Sequence, residues 1–154
     1  MNLSAQSPEK NLDQVELVKQ FLGTWVAEVG EDSVMHMKGV QLGEGLYFQG
    51  EWKTAGETYY AAHAVVGFTK DKETIVLSAI WSNGITVQEI GRFVAENRFV
   101  MERFFPDKPN HAVGLGEYDF SQPNKIIWRW HGRGEAVTWD PLWKAEVTYT
   151  KIDD

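Results

Sequence analysis

The chain has 154 residues, of which 43% are hydrophobic and 13% aromatic, and it carries a formal net charge of −7 with no cysteine. This length suits one domain with one core, and the acidic balance argues against a phosphate-binding surface, so we expect no nucleic-acid partner. Without cysteine there is no disulfide framework and no thiol chemistry. The seven tryptophans exceed the needs of such a core, so we expect some aromatic rings to line a cavity.

Residues 1–10 are polar, contain Pro8 and show no periodicity. They are predicted to form a flexible leader whose deletion costs little stability, and 11–154 are predicted to form a single domain. The first residues lack the apolar segment of a secretion signal. No run approaches the roughly 18 apolar residues of a membrane span. These features predict a cytoplasmic protein without membrane insertion.

Apolar residues recur with helical spacing between Asn11 and Leu22, and Gly23 follows as a helix stop. This pattern predicts one short amphipathic helix, the only helix of the chain, lying across the end of a sheet structure. Its apolar positions are Leu12, Val15, Leu17, Val18, Phe21 and Leu22.

After Gly23 the apolar residues alternate with a period of two, and turn residues interrupt them about every ten positions. The predicted strands are 24–30, 33–42, 45–54, 57–68, 73–82, 85–95, 98–105, 111–120, 124–132 and 142–151. Asn83-Gly84 predicts a type I′ turn, since both residues tolerate positive φ, and 132–141 is the one longer connection. An open sheet would leave two exposed edges. We therefore predict an all-β fold, a single up-and-down antiparallel β-barrel of about ten strands, rather than a sandwich.

The start and end of this strand pattern resemble a known superfamily. A helical turn leads into Phe21-Leu22-Gly23-Thr24-Trp25, only strands follow, and the last one ends in Val147-Thr148-Tyr149-Thr150-Lys151. This arrangement resembles the calycin superfamily, which contains lipocalins and fatty-acid-binding proteins. Residues 42–47 and 66–71 are similar to a group of uncharacterised bacterial lipocalin-like domains. The resemblance implies that Trp25 plugs the closed barrel end and packs under Lys151.

The chain departs from that superfamily in two respects. The helix pair that covers a fatty-acid-binding protein has no counterpart between Gly30 and Ser33, and the Thr-Asp-Tyr signature of true lipocalins is absent. Haem-binding relatives with a similar start carry a ligating histidine near the C-terminus. No residue after His131 could serve in that role, so no cofactor is expected.

Alternation along the strands indicates which side chains face the barrel interior, although a bulge would invert a strand. The predicted inward residues are Trp25, Ala27, Val29, Phe48, Gly50, Trp52, Val87, Glu89, Phe93, Phe99, Met101, Arg103, Phe105, Ile126, Trp128, Trp130, Trp143, Ala145, Val147 and Tyr149. A ten-strand barrel is wide enough to hold a small ligand. Trp52, Trp128 and Trp130 could equally be cavity lining or packed core. The predicted ligand-binding residues are Phe48, Trp52, His63, Glu89, Phe93, Met101, Arg103, Trp128 and Trp130.

Arg103 shares its predicted face with Phe99, Met101 and Phe105. An unpaired guanidinium buried there would cost several kcal/mol, so it requires a partner unless it reaches solvent near a strand end. The partner could be Glu89, expected on the next strand but one, or Glu102 if the face is inverted. The third alternative is a carboxylate of the ligand.

The four histidines are isolated in sequence, and no spacing typical of a metal site is present, so no metal is predicted. His63 lies among Tyr59, Tyr60, Ala61, Ala62 and Val65 and is predicted to be the most buried histidine, able to act as an acid–base group. Motifs of common hydrolases, kinases and dehydrogenases are missing.

Two functions remain open at this stage. The first is binding of a small apolar or amphipathic molecule in the barrel, with an acidic group on the ligand as one option. The alternative is a small-molecule enzyme on the same fold that uses His63, Glu89 or Arg103. Convergence of His63 with Glu89 or Arg103 in one open pocket would favour the enzyme, whereas solvent-facing side chains would disfavour it. An oligomer formed through a barrel face is a further option.

Overall fold

Ten antiparallel strands form a closed up-and-down barrel in a computed structural model of the chain. The structure describes residues 11–133 and 139–152, and for 131–133 and 139–144 it describes the backbone alone. Each strand pairs with its neighbours in sequence, and β1 pairs with β10 to close the ring. The fold class predicted from alternation and turns is therefore confirmed. The predicted leader over 1–10 and residues 134–138 of the predicted connection over 132–141 lie outside the described residues, and the backbone on either side of 134–138 belongs to strands.

The elements follow the chain in the order helix, 3₁₀ turn and ten strands. They are α1 Gln14–Leu17, a 3₁₀ turn Val18–Phe21, β1 Gly23–Glu28, β2 Ser33–Leu42, β3 Gly45–Thr54, β4 Glu57–Phe68, β5 Ile75–Trp81, β6 Thr86–Ala95, β7 Arg98–Phe104, β8 Gly114–Asp119, β9 Lys125–Arg133 and β10 Trp139–Ile152. Two predicted strand starts differ from these bounds by three residues, and the others differ by two or fewer. β8 begins later because residues 105–111 form successive turns, and β10 begins three residues earlier than predicted.

The predicted helix is shorter than its apolar pattern, since α1 gives way to the tighter 3₁₀ turn before Phe21. Asp13 caps α1, its Oδ1 accepting hydrogen bonds from two backbone N–H groups at 3.1 Å. The buried Gln14 amide donates to the Phe93 carbonyl (3.1 Å) and accepts from the Phe93 N–H (2.7 Å). These two bonds attach α1 to the end of β6. No helix among the described residues is long and apolar enough to cross a membrane.

Phe21, at the end of the 3₁₀ turn, fills one end of the barrel. Its ring meets five other aromatic rings edge-on, an arrangement that favours packing beyond the area buried. The centroid distances are 5.7 Å to Phe48, 6.5 Å to Phe93, 5.8 Å to Phe99, 5.1 Å to Tyr118 and 4.8 Å to Phe120. We call this the closed end.

Trp25 lies beside this cluster and is 4% exposed. Its indole Nε1 donates to the Phe21 carbonyl at 3.1 Å. Lys151 lies opposite Trp25 in the ladder of β1 and β10, and its Nζ is 5.3 Å from the centroid of the Trp25 ring. This is the contact that the calycin resemblance implies for the two residues.

Alternation identifies the interior face of most strands correctly, but two residues that were expected to point inward are exposed, Val29 and Ala145. Val29 was expected to point inward, but it is 40% exposed, because β1 ends at Glu28 and the interior face does not extend past it. The predicted inward position of Trp143 lies outside the described side chains.

The turn between β5 and β6 differs from the predicted type I′ hairpin. Gly84 has a φ of 83°, but Asn83 is not among the residues with positive φ. The Gly84 N–H donates to the Trp81 carbonyl and the Trp81 N–H to the Ile85 carbonyl, both at 2.8 Å. The loop thus has three residues, with glycine in the left-handed conformation at its end. Positive φ at two successive positions occurs at Ala55-Gly56 instead (51° and 82°), between β3 and β4.

We expect Gly84→Val to lower the free energy of unfolding by at least about 1 kcal/mol, because a β-branched residue resists positive φ. Space is not the obstacle, since no atom lies within 4 Å of a Cβ placed at this glycine. Gly67→Val is the matched control, since Gly67 is equally open but has an ordinary strand conformation. Chemical denaturation of both variants checks the prediction, and equal effects would contradict it.

Candidate functional site

A cavity of about 570 Å³ occupies the barrel interior. Its floor is formed by side chains of the closed end, including Val18, Phe21 and Phe99, and its walls by inward residues of the strands. The volume falls within the roughly 300–1,000 Å³ typical of small-molecule sites, and the apolar lining is typical as well. The barrel therefore contains a preformed space for a small molecule.

Five of the predicted ligand-binding residues line this cavity, namely Phe48, Trp52, Glu89, Arg103 and Trp128. Phe93 and Met101 do not line the cavity, because both are fully buried in the core around the closed end. Phe93 packs against the ring of Phe99 (5.2 Å between centroids), and the Met101 side chain lies over Gly116 of β8, so neither side chain reaches the open space.

His63 is on the outer surface of the barrel, so the prediction that it is the most buried histidine is wrong. It is exposed and shares a hydrogen bond with the Tyr47 hydroxyl through Nδ1. The reason is the alternation of β4, which directs Ala62 and Ala64 to the cavity and His63 to a groove on the outer surface. The segment around His63 carries little charge because one face of β4 lines the apolar interior and the other lines this apolar outer groove.

Glu89 and Arg103 form an ion pair inside the barrel. They lie directly opposite each other on β6 and β7, which are adjacent strands and not next-but-one strands as expected. Arg103 Nε donates to Glu89 Oε1 at 2.7 Å, and Nη2 donates to the same oxygen. Glu89 is 7% exposed, and the Arg103 side chain is 21% exposed. Of the alternatives for Arg103, the internal pair with Glu89 is confirmed.

Two indole rings flank the Arg103 guanidinium. Its central carbon is 4.3 Å from the ring centroid of Trp130 and 5.6 Å from that of Trp81, both within range of a cation–π interaction. Trp130, predicted to bind ligand, is not among the cavity-lining residues but stacks on Trp128 at 6.2 Å. Trp130 therefore packs against the Arg103 guanidinium rather than against the open space of the cavity.

Gly114 is a site residue that the sequence analysis missed. It lies opposite Arg103 in the ladder of β7 and β8, and a Cβ at this position would come within 2.2 Å of the Trp130 ring. The absence of a side chain is what lets Trp130 lie beneath the guanidinium. A glycine inside a strand often marks such a close approach, and this signal was present in the sequence.

Aromatic rings also follow one another around the open end of the barrel. Trp52 contacts Tyr60 (5.0 Å between centroids), Tyr60 contacts Trp81 (6.3 Å) and Trp81 contacts Phe105 (6.4 Å). We call these four residues the aromatic collar. Trp52 and Phe105 were predicted to face inward, whereas Tyr60 and Trp81 were missed. A bulge next to the Trp52–Tyr60 pair interrupts the alternation of β4, and no inner face was predicted for β5.

Two buried tyrosines supply neutral hydroxyl groups to the cavity wall. Burial raises the pKa of Tyr118 well above its ordinary value, and the nearby charge of Glu89 raises it further. Burial also raises the pKa of Tyr149 to about 12. Trp128 Nε1 is buried and has no hydrogen-bond partner in the described part of the chain. The wall thus offers uncharged polar groups besides the ion pair.

Alkaline pH should destabilise the barrel through these hydroxyl groups. The pKa of Tyr149 rises from 10.0 to about 12 on folding, so the folded state retains a proton that the unfolded state loses, and stability falls as pH rises through this window. We expect Tyr149→Phe to reduce the slope of stability against pH there by up to about 1.4 kcal/mol per pH unit. Denaturant titrations at several alkaline pH values measure that slope. An unchanged slope would show that the hydroxyl is not buried in the folded protein.

Among the described residues, no three His, Asp or Glu side chains come together as a metal site would require. Comparison with protein-family models and with curated proteins finds no match to the chain.

Proposed function

We propose that this protein binds a small apolar or amphipathic molecule in its barrel cavity. The observation that carries the proposal is the cavity of about 570 Å³, closed at one end by Phe21 and walled by aromatic and aliphatic side chains. Such a space, with few polar groups, is the usual form of a small-molecule site. The aromatic collar at the open end adds amphipathic surface where a ligand would enter.

We further propose that the chain is a lipocalin-like member of the calycin superfamily. The closed up-and-down barrel supports this assignment, as does the packing of Lys151 over Trp25. Its cytoplasmic location and its association through a barrel face remain predictions from the sequence.

Convergence of His63 with Glu89 or Arg103 in one open pocket would favour the enzyme alternative. His63 lies in the outer groove while Glu89 and Arg103 line the cavity, so the barrel wall separates the histidine from the pair. A general acid–base group must come within hydrogen-bond reach of the reacting group. The observed separation therefore favours binding over catalysis by these three residues.

Titration with decanol tests the binding proposal. Because Trp52, Trp81 and Trp128 line the cavity, occupancy should change the tryptophan fluorescence in a saturable way. Native mass spectrometry should then show one decanol bound per chain, and the same measurement on the purified protein would detect any ligand that accompanies it. If decanol gives neither a saturable signal nor a bound mass, the proposal is wrong.

A further inference from the structure

The ion pair of Glu89 and Arg103 leaves two of its polar atoms unused. Both hydrogen bonds from Arg103 reach the same carboxylate oxygen, Oε1. Among the described residues, no hydrogen bond is found to Glu89 Oε2 or from Arg103 Nη1. Both side chains line the cavity. One acceptor and one donor of the same ion pair are thus left for a ligand.

The pair carries no net charge, which limits what it can attract. A ligand carboxylate near Arg103 is also near Glu89, so the attraction and the repulsion, which fall off in the same way with distance, largely cancel. For a ligand ammonium group, the attraction by Glu89 and the repulsion by Arg103 largely cancel in the same way. An uncharged group that both donates and accepts can instead satisfy Nη1 and Oε2 together, and it avoids the desolvation cost of a charge.

We propose that the polar end of the ligand is an uncharged donor–acceptor group such as a primary amide. Its carbonyl accepts from Arg103 Nη1, and its N–H donates to Glu89 Oε2. This inference rests on the proposed function and specifies the chemistry of the ligand at the same site.

The apolar part of the ligand extends towards the closed end. Arg103 and the floor residue Phe99 are both on β7, and the strand between them is about 13 Å long. The space between them is lined by apolar side chains such as Phe48, Val66 and Ile75. A medium-length alkyl chain therefore matches the distance from the ion pair to the floor.

The guanidinium is already held in place before a ligand arrives. Glu89 fixes it by two hydrogen bonds, and the rings of Trp130 and Trp81 flank it. Little side-chain freedom remains to be lost on binding, which favours affinity for a group of matching geometry.

The test compares decanamide, decanoate and decanol at neutral pH by tryptophan fluorescence. We expect decanamide to bind at least about tenfold more tightly than either of the others. Its carbonyl oxygen and its N–H are separate atoms that can reach Nη1 and Oε2 at once, whereas decanoate carries a charge and decanol must serve both groups with a single oxygen. Decanoate binding most tightly, or decanamide binding no better than decanol, would overturn the inference and leave the proposed function standing. If none of the three binds, the proposed function itself fails.

Glu89→Gln provides a second test, in which the preference between the ligands should shift from the amide towards the carboxylate. Glutamine keeps the shape of the side chain but removes its charge, so Arg103 becomes an unpaired cation. The ratio of decanoate affinity to decanamide affinity should then rise by at least about tenfold relative to the parent protein. An unchanged ratio in a folded variant, verified by circular dichroism, would overturn the inference. If the variant does not fold, the relative affinities of the parent protein for decanamide, decanoate and decanol decide whether the inference holds.

Discussion

Trp25→Ala should lower the free energy of unfolding by about 3–5 kcal/mol, the usual cost of truncating a large buried aromatic side chain. The indole is 4% exposed and packs in the core at the closed end. Its removal also deprives the Phe21 carbonyl of its hydrogen bond from Nε1. Because domains of this size have only about 5–15 kcal/mol of stability, the denaturant midpoint should fall sharply.

Lys151→Met is the matched control for this variant. It keeps the alkyl chain over the Trp25 ring but removes the cation, and an exposed cation–π contact contributes about 0.5–1 kcal/mol. Deletion of the predicted leader, residues 1–8, should leave the midpoint nearly unchanged. If Trp25→Ala costs no more than Lys151→Met or the deletion, Trp25 is not part of the core that stabilises the closed end.

Arg103→Met should destabilise the protein by about 3 kcal/mol, because it leaves the Glu89 carboxylate buried without its partner. Glu89 is 7% exposed, so the carboxylate has little access to bulk solvent. Methionine preserves most of the volume between the rings of Trp81 and Trp130 and removes only the charge and the donors. Urea denaturation at neutral pH measures the loss.

The double variant Glu89→Gln with Arg103→Met separates the effect of the unpaired charge on stability from the effect of changed packing. Once both charges are absent, no uncompensated carboxylate remains, and replacing a buried pair by uncharged groups is often close to neutral. We therefore expect the double variant to be more stable than Arg103→Met alone. A double variant that is less stable than Arg103→Met would mean that the charge pair is not the cause of the loss.

The fold was predictable because a closed barrel repeats one local pattern. Alternation from Thr24 to Tyr149, interrupted by turns, predicts ten strands, and the cost of free edges predicts closure. Local details of the turns were harder to predict from the sequence. The loop at Gly84 required knowledge of which residues pair across it, and a single added residue changes the turn type.

The candidate site was predictable only where a strand alternates without a bulge. Glu89 lies before the bulge near the end of β6, and Arg103 follows the regular alternation of β7, so both line the cavity as expected. His63 was misjudged because its neighbours are apolar on both faces of β4, so composition does not identify the inner face. Whether Arg103 had a partner depended on the register of β6 against β7, which a single sequence does not specify.

The claim that the cavity is the binding site is tested most directly by filling it. Ala62 lines the cavity, whereas Val65 lies on the outer side of the same strand, so Ala62→Phe and Val65→Phe add a ring to opposite faces of the barrel wall. The measurement is the dissociation constant for decanol in both variants, with folding verified by circular dichroism. We predict that Ala62→Phe weakens binding at least about tenfold, because the added ring occupies the ligand's space, while Val65→Phe binds as the parent does. Equal binding by all three proteins, or a loss confined to Val65→Phe, would contradict a ligand site inside the barrel.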